Sequence, residues 1–449
     1  MRDIYLPAET EALLSKIEEA GYKGYVAGGA VRDLLRGIAP TDFDIATSAM
    51  PDETEKIFAD CKTLDIGKKF GTITVFWHGE PYEITTFRAE SGYTDGRRPS
   101  AVSFGESIAE DLKRRDFTIN AMALGRDGLK DPFGGRDDLQ KGIIRAVGQA
   151  EKRFSEDGLR IMRALRFASV LGFEIEGETE KAIFACKDML RLISNERIRD
   201  ELCKMATGKN FTAVLDRYFD VFTVFLPELA AMKGFEQHSK YHDLDVWQHT
   251  LKVIDSVPIE NETVRIAALF HDVGKPDSFY MDDKGAGHFK GHEAVGAKMA
   301  REIMKRLRFS KDYTDSVYKL ILWHRDEETK DEYWIRKMLA KMGSEQLCRD
   351  IILLLRADAM AKKEQYREEE SFKKAFADLD RIIERGDPYA LFELAVDGND
   401  MLELKIPNRK IGKVLNWLLE EVMKNPSENT RENLLKKALQ KAEQLKSNS

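Results

Sequence analysis

The hydrophobic rhythm changes once along this 449-residue chain, and that change limits the folds open to it. Between residues 22 and 125 short β-like runs alternate with Gly-containing turns, as in 71–77 (GTITVFW), 78–81 (HGEP) and 82–87 (YEITTF). Two such runs joined by so short a polar turn predict a hairpin within a mixed sheet. From about residue 150 the spacing turns helical, with Leu159, Met162, Leu165, Phe167 and Ala168 recurring on one face, and strand-like alternation almost ceases. The expectation is an α+β protein with a mixed-sheet N-terminal part and a mainly α-helical remainder. At roughly 100 to 200 residues per domain, the length predicts two to four domains.

Composition excludes several classes. With 43% hydrophobic and 33% charged residues, 31 Gly and 12 Pro, the chain is neither collagen-like, low-complexity nor a coiled-coil fibre. No apolar run approaches the roughly 18 residues a membrane span needs, and the N-terminal segment lacks a signal peptide's hydrophobic stretch, so a cytoplasmic protein without a membrane is expected. Cys61, Cys186, Cys203 and Cys348 form no Cys-x-x-Cys pair, which suggests buried thiols rather than disulfides or a thiolate zinc site. A net charge of -7 argues against a chain that grips nucleic acid over its whole surface. Residues 405–449 nevertheless hold ten Lys or Arg against five Glu, a local basic excess suited to nucleic acid.

Two short segments point to phosphate chemistry. Residues 25–35 (YVAGGAVRDLL) read as a strand, a Gly28-Gly29 turn and a helix start, where backbone N–H groups can approach an anion; alone, such a turn is more often structural. Residues 41–45 (TDFDI) sharpen it, because Asp42 and Asp44 at spacing two on a strand share one face while Phe43 and Ile45 face the core. Paired carboxylates bind Mg2+, and two such ions can activate an attacking hydroxyl and stabilise the leaving phosphate of an in-line displacement. The bland alternative is a solvated Asp-x-Asp loop. Glu83, on the later strand, is either a third acid of the cluster or a surface residue.

These residues carry a resemblance. Gly28-Gly29-Ala30-Val31-Arg32-Asp33 followed by Asp42-Phe43-Asp44 resembles the signature of polymerase-β-like nucleotidyltransferases, specifically the class II tRNA nucleotidyltransferases (CCA-adding enzymes) and the related bacterial poly(A) polymerases. The likeness continues through 114–122 (RRDFTINAM), 131–135 (DPFGG) and 156–160 (EDGLR). It implies nucleotide-binding roles for Gly28, Gly29, Arg32 and Asn120, and metal-holding catalytic roles for Asp42 and Asp44. Arg114 and Arg115 offer forked cations suited to a triphosphate, and Asp116 an acceptor for a ribose hydroxyl. Asp157 and Arg160, three apart on a predicted helix, would place an acceptor beside donors, matching the amine and ring nitrogen of cytosine or adenine and rejecting uracil and guanine; the alternative is an ordinary helix ion pair. Arg163 and Arg166 extend that stripe toward phosphate. The Phe70-Gly71-Thr72 run and the segment 93–99 (YTDGRRP), similar to a flexible loop needed for adding the terminal A, favour the CCA-adding form over poly(A) synthesis. Residues 196–202 (ERIRDEL) resemble the family's neck motif, and 398–407 with 412–420 its tRNA-holding tail, where the local charge is positive.

A second constellation follows from histidine. Seven of the eight His lie between His238 and His324. His249 in 246–254 (VWQHTLKVI), His271-Asp272 in 267–275 (AALFHDVGK) and Asp358 in 355–360 (LRADAM) supply nitrogen and oxygen donors for a divalent ion that activates water, and resemble the HD phosphohydrolase pattern. His292 and His324 stand where that superfamily adds a second metal or binds phosphate. The metal itself is not specified by the sequence. A single buried His would be structural; here, order and clustering favour a site.

The expected organisation is a catalytic head (1–145), a helical neck that selects the base (146–230), an HD metal-binding domain (238–362) and a helical tRNA-binding tail (363–449). The expected reaction is template-independent addition of C, C and A to the tRNA 3' end from CTP and ATP, with phosphohydrolase activity at the HD site. A poly(A) polymerase and an HD phosphohydrolase with a vestigial head are the alternatives. Whether all of CCA or only part is added, and the oligomeric state, are not legible.

Overall fold

The computed structural model describes residues 5–93, 99–105, 107–239, 241, 243–325 and 330–447. The 94–98 part of the expected flexible loop lies outside these residues. The chain forms two compact units, Met1–Pro227 and Glu228–Ser449.

The first unit is built on a seven-stranded mixed sheet of β1 (Gly24–Ala27), β2 (Asp44–Thr47), β3 (Lys62–Leu64), β4 (Thr72–Trp77), β5 (Glu80–Thr86), β8 (Ala123–Gly125) and β9 (Gly128–Lys130). Their order is β3-β4-β5-β2-β1-β8-β9. The predicted hairpin is β4–β5, which pairs antiparallel from Thr72↔Thr85 to Trp77↔Glu80. β2 and β5 are parallel neighbours. A separate ribbon pairs β6 (Arg88–Tyr93) with β7 (Pro99–Phe104).

Alternation in the central strands divides between two cores, which is why all four residues of β1 are buried. Val26 and Ile45 pack with Leu13, Leu14 and Ile17 of the helix Ala8–Glu19 and with Ile73, Val75 and Ile84. Tyr25, Ala27 and Ala46 face Phe87, Leu112 and Ala121 on the other side. Each large apolar side chain so buried contributes about 1.5–3 kcal/mol before entropy is counted. With both faces covered, Asp44 stands at the first position of its strand. β2 begins only at Asp44, so Asp42 and Phe43 precede the strand, a correction to the expected two-acid strand face.

The second unit is mainly helical, as the change of periodicity implied. Short polar residues start its helices: Asp245 accepts the N–H of Gln248 at the head of Val246–Asp255, and Asn261 that of Val264 ahead of Glu262–Phe270. The first cap places His249 one turn into its helix. Toward the C-terminus, Val414, Leu418 and Val422 recur at four-residue spacing on Asn408–Lys424 and pack with Leu434 and Ala438 of Arg431–Ser447. Among the described residues no helix is long and apolar enough to cross a membrane.

Candidate functional site

In the first unit the Gly-Gly turn and the acids converge. Gly28 has φ +80, and a Cβ there would come 2.7 Å from Nη1 of Arg115 and 3.9 Å from Oδ2 of Asp44. Only glycine permits this backbone and this approach. Parallel pairing of two inner strands sets Glu83 level with Asp44, so Glu83 joins the cluster rather than standing apart. Desolvation raises the Asp44 carboxyl above its ordinary range; the Arg115 guanidinium opposes this, while Asp42 and Glu83 add to it. A cation beside these acids relieves that cost, so the donor set fits Mg2+.

The cationic residues divide by partner. Arg115 fronts Gly28 and reaches Oδ2 of Asp111 at 3.4 Å, whereas Arg114 is held by Oδ1 of the same buried Asp111. Arg32 donates to Asp33 and to Oδ1 of Asn120. Asp116 is buried and accepts from Phe117 N, Asn120 Nδ2 and Arg163 Nε, which makes it the hub of a polar network. Arg163, with Asp116, and desolvated Arg166 both face the buried Glu201, and Arg166 lies 4.1 Å from the Phe167 ring centroid. In 131–135, Asp131 accepts the N–H groups of Gly135 and Arg136 and so fixes the turn. A Cβ on Gly135 would collide with Thr118 O at 2.1 Å.

The expected helical pairing of Asp157 and Arg160 does not form. Asp157 is extended at the break between the helices Ala150–Glu156 and Leu159–Leu171, because its Oδ1 caps Leu159 N. Its carboxylate is gripped by Arg197 at 2.6 and 3.2 Å. Arg160 is buried and turns away, donating to Arg153 O, Glu156 Oε2 and Arg114 O. Sequence reasoning had Arg197 and Glu201 only within the neck-like segment 196–202, without these contacts, and missed Asp111. The Asp157-Gly158 pair carried the local signal of a helix break, but an ion pair spanning 40 residues has none.

The second unit brings all six expected ligands together around Asp272. Its Oδ2 lies 3.1 Å from His271 Nε2 and 3.6 Å from His249 Nε2, and its Oδ1 lies 3.4 and 3.7 Å from Nε2 of His292 and His324. Asp358 Oδ1 is 2.9 Å from His249 Nε2. His271, His292 and His324 each direct Nδ1 at the carbonyl three residues back, at 2.7, 2.8 and 2.6 Å. That hydrogen bond orients each ring and turns its Nε2 into the cluster. Nε2 of His292 and His324 then face each other at 3.2 Å, an arrangement a cation between them relieves.

Two groups with ligand atoms within 4.8 Å result, His249–His271–Asp272 and Asp272–His292–His324, so this donor set fits one or two divalent ions. Burial holds His249 and His324 below the ordinary histidine range, keeping them neutral. For Asp272, burial is outweighed by His271 and Lys275, which hold the carboxyl well below its usual range. Lys275, a residue not assigned from the sequence, sits 2.7 Å from Asp272 Oδ2, because the two are three residues apart in the turn that follows the helix Glu262–Phe270. A cavity of about 740 Å³ opens over the cluster, with Lys275, Lys330 and Lys362 in its wall.

Known proteins match in the same order. The family profile described as Poly A polymerase head domain matches residues 24–145, the one described as probable RNA and SrmB-binding site of polymerase A matches 172–233, and HD domain matches 240–381. The CCA-adding enzyme of Leuconostoc mesenteroides is 50% identical over 309 residues, covering 68% of this chain and 71% of that one. That of Lactobacillus gasseri is 53% identical over 223 residues, 49% of this chain; the match spans only 55% of the relative's length. The solved Bacillus stearothermophilus CCA-adding enzyme in complex with CTP shares the fold with a TM-score of 0.76 at 29% identity, covering 99% of this chain and 100% of that one. From these matches, with the acids clustered beside Gly28, the chain belongs to the family of CCA-adding enzymes.

Proposed function

We propose that the first unit transfers CMP and AMP from CTP and ATP to the 3' end of tRNA, completing CCA without a template. The observation that carries this reading is the Asp42, Asp44 and Glu83 cluster beside Arg115 and Gly28. Asp42 and Asp44 would hold Mg2+, which would supply charge to activate the RNA hydroxyl and stabilise the departing pyrophosphate. Arg115 faces the phosphates, with Asp111 fixing the guanidinium fork from behind. Asp116, Arg163 and Glu201 brace the wall next to the base, and Asp157 selects it. The RNA lies along the basic C-terminal segment, where Lys405, Arg409 and Lys413 are exposed and make no ion pair among the described residues. The names of the relatives support this reading over poly(A) synthesis.

Asp42→Ala and Asp44→Ala test it. Each is expected to reduce addition by more than about a hundredfold, with tRNA affinity, read by filter binding, within a factor of about two. Turnover above a few per cent of wild type would remove these carboxylates from the mechanism.

A second reading is favoured by the Asp272-centred cluster: the HD unit hydrolyses phosphate esters, including cyclic and terminal phosphates. The six donors would hold the ion or ions, which would supply a nucleophile from water at neutral pH; Lys275 and Lys362 attract the phosphate. Elemental analysis and assays with magnesium, manganese, nickel and cobalt test it. A protein with no bound ion and no hydrolysis would leave the cluster a structural element.

A further inference from the structure

The cavity over the HD cluster is lined by metal donors and lysines, and also by an aromatic pair that the donors do not need. Two stretches of chain lead from the donors to that pair. Asp358, Lys362 and Tyr366 follow at four-residue steps where the helix Glu345–Ala361 gives way to the short 3-10 turn Glu364–Tyr366. Lys362 Nζ lies 3.4 Å from Asp358 Oδ2. The other stretch starts at Lys275, which sits against Asp272 and donates to Gln237 Oε1 at 2.8 Å. Four residues after Gln237 comes Tyr241, whose carbonyl accepts Lys363 N at 3.1 Å.

The two stretches meet in the rings of Tyr241 and Tyr366, with centroids 4.8 Å apart and planes at 69°. Both residues line the cavity, whose volume of about 740 Å³ is of the size that encloses a small-molecule ligand. An edge-to-face pair takes up at most one face of each ring. Tyr366 is half-buried and has no other ring partner among the described residues, so one of its faces is left for a flat ligand. Along either stretch the order is metal donor, lysine, aromatic ring. A nucleoside phosphate has a matching order of phosphate, sugar and base, and every base offers a π-face that stacks without its edge being read.

We propose that Tyr366, braced by Tyr241, stacks the base of a nucleoside phosphate whose phosphate lies at the Asp272-centred cluster, so that the HD site prefers esters bearing a base to esters without one. The inference rests on the reading of the second unit as a phosphohydrolase.

The test uses the full chain loaded with metal and two matched pairs of esters: AMP against ribose 5-phosphate, and adenosine 2',3'-cyclic phosphate against its base-free methyl riboside counterpart. Calorimetry with phosphonate analogues of the first pair, in which carbon replaces the ester oxygen and blocks hydrolysis, reads affinity apart from turnover. Wild type is expected to favour the base-bearing member about tenfold in kcat/KM, through KM, and about tenfold in Kd. Tyr366→Ala should shrink both preferences to less than about twofold, while Tyr366→Phe and Tyr366→Trp, which keep a ring, retain them. If Tyr366→Ala does not fold, Tyr366→Leu, which keeps apolar volume but no π-face, carries the same comparison. Equal rates on base-bearing and base-free esters in wild type, or an undiminished preference in the Ala and Leu variants, overturns the assignment. No hydrolysis of any of the four esters would instead remove the reading on which it rests, whatever the affinities.

Discussion

At the scale of single residues, Asp116 shows how a buried charge is kept. Burial alone would raise its carboxyl, but Arg163, Asn120 and the Phe117 N–H hold it down to about 2. A folded-state value below the unfolded one means that the ionised form is the bound form. The contribution is therefore fully present above about pH 4 and is lost as pH falls toward 2. A drop of this size corresponds to about 2 kcal/mol. Asp116→Asn is expected to lower unfolding stability by about that amount at pH 7, with the gap to wild type narrowing between pH 4 and pH 3 in urea titrations. A gap independent of pH would show that lost packing, not charge, is the cause.

At the scale of elements, long-range ion pairs do what periodicity cannot announce. Arg336, almost fully buried on the helix Glu332–Met342, donates to Asp387 Oδ2, Met423 O and Glu332 Oε2, and so ties three segments together. Arg336→Ala should cost about 3 kcal/mol because it strips a buried carboxylate of a partner, whereas Arg336→Met should cost less; chemical denaturation measures both. A loss below about 0.5 kcal/mol, the level of an exposed pair, would deny the network that role. The hairpin at 72–86 and the helical remainder were legible because alternation and 3.6-residue spacing are local. The HD ligands were legible because His249, His271, Asp272 and Asp358 each stand in a recognisable segment, and folding brought them within reach of one another. The pairing of Asp157 was not, since its partner lies two helices away. The strand around Asp42 was misread for a simpler reason: Asp-Phe-Asp satisfies an alternating pattern whether or not the ladder has begun there.

At the scale of the whole molecule, the acids around Asp44 and the HD cluster belong to different compact units, each with its own core. His271→Ala is therefore expected to lower metal content and phosphate ester hydrolysis by more than about tenfold while nucleotide addition stays within twofold, and Asp44→Ala to do the reverse. Parallel loss of both activities in either variant would contradict separate sites. The central claim is template-independent CCA completion. It is tested most directly by sequencing-gel analysis of tRNAs that end before the first C, before the second C and before the A, each supplied with CTP and ATP. All three are expected to converge on one product ending in CCA, with no further growth. Continued addition of A, equal extension of unstructured RNA, or products that stop short of the terminal A would contradict it.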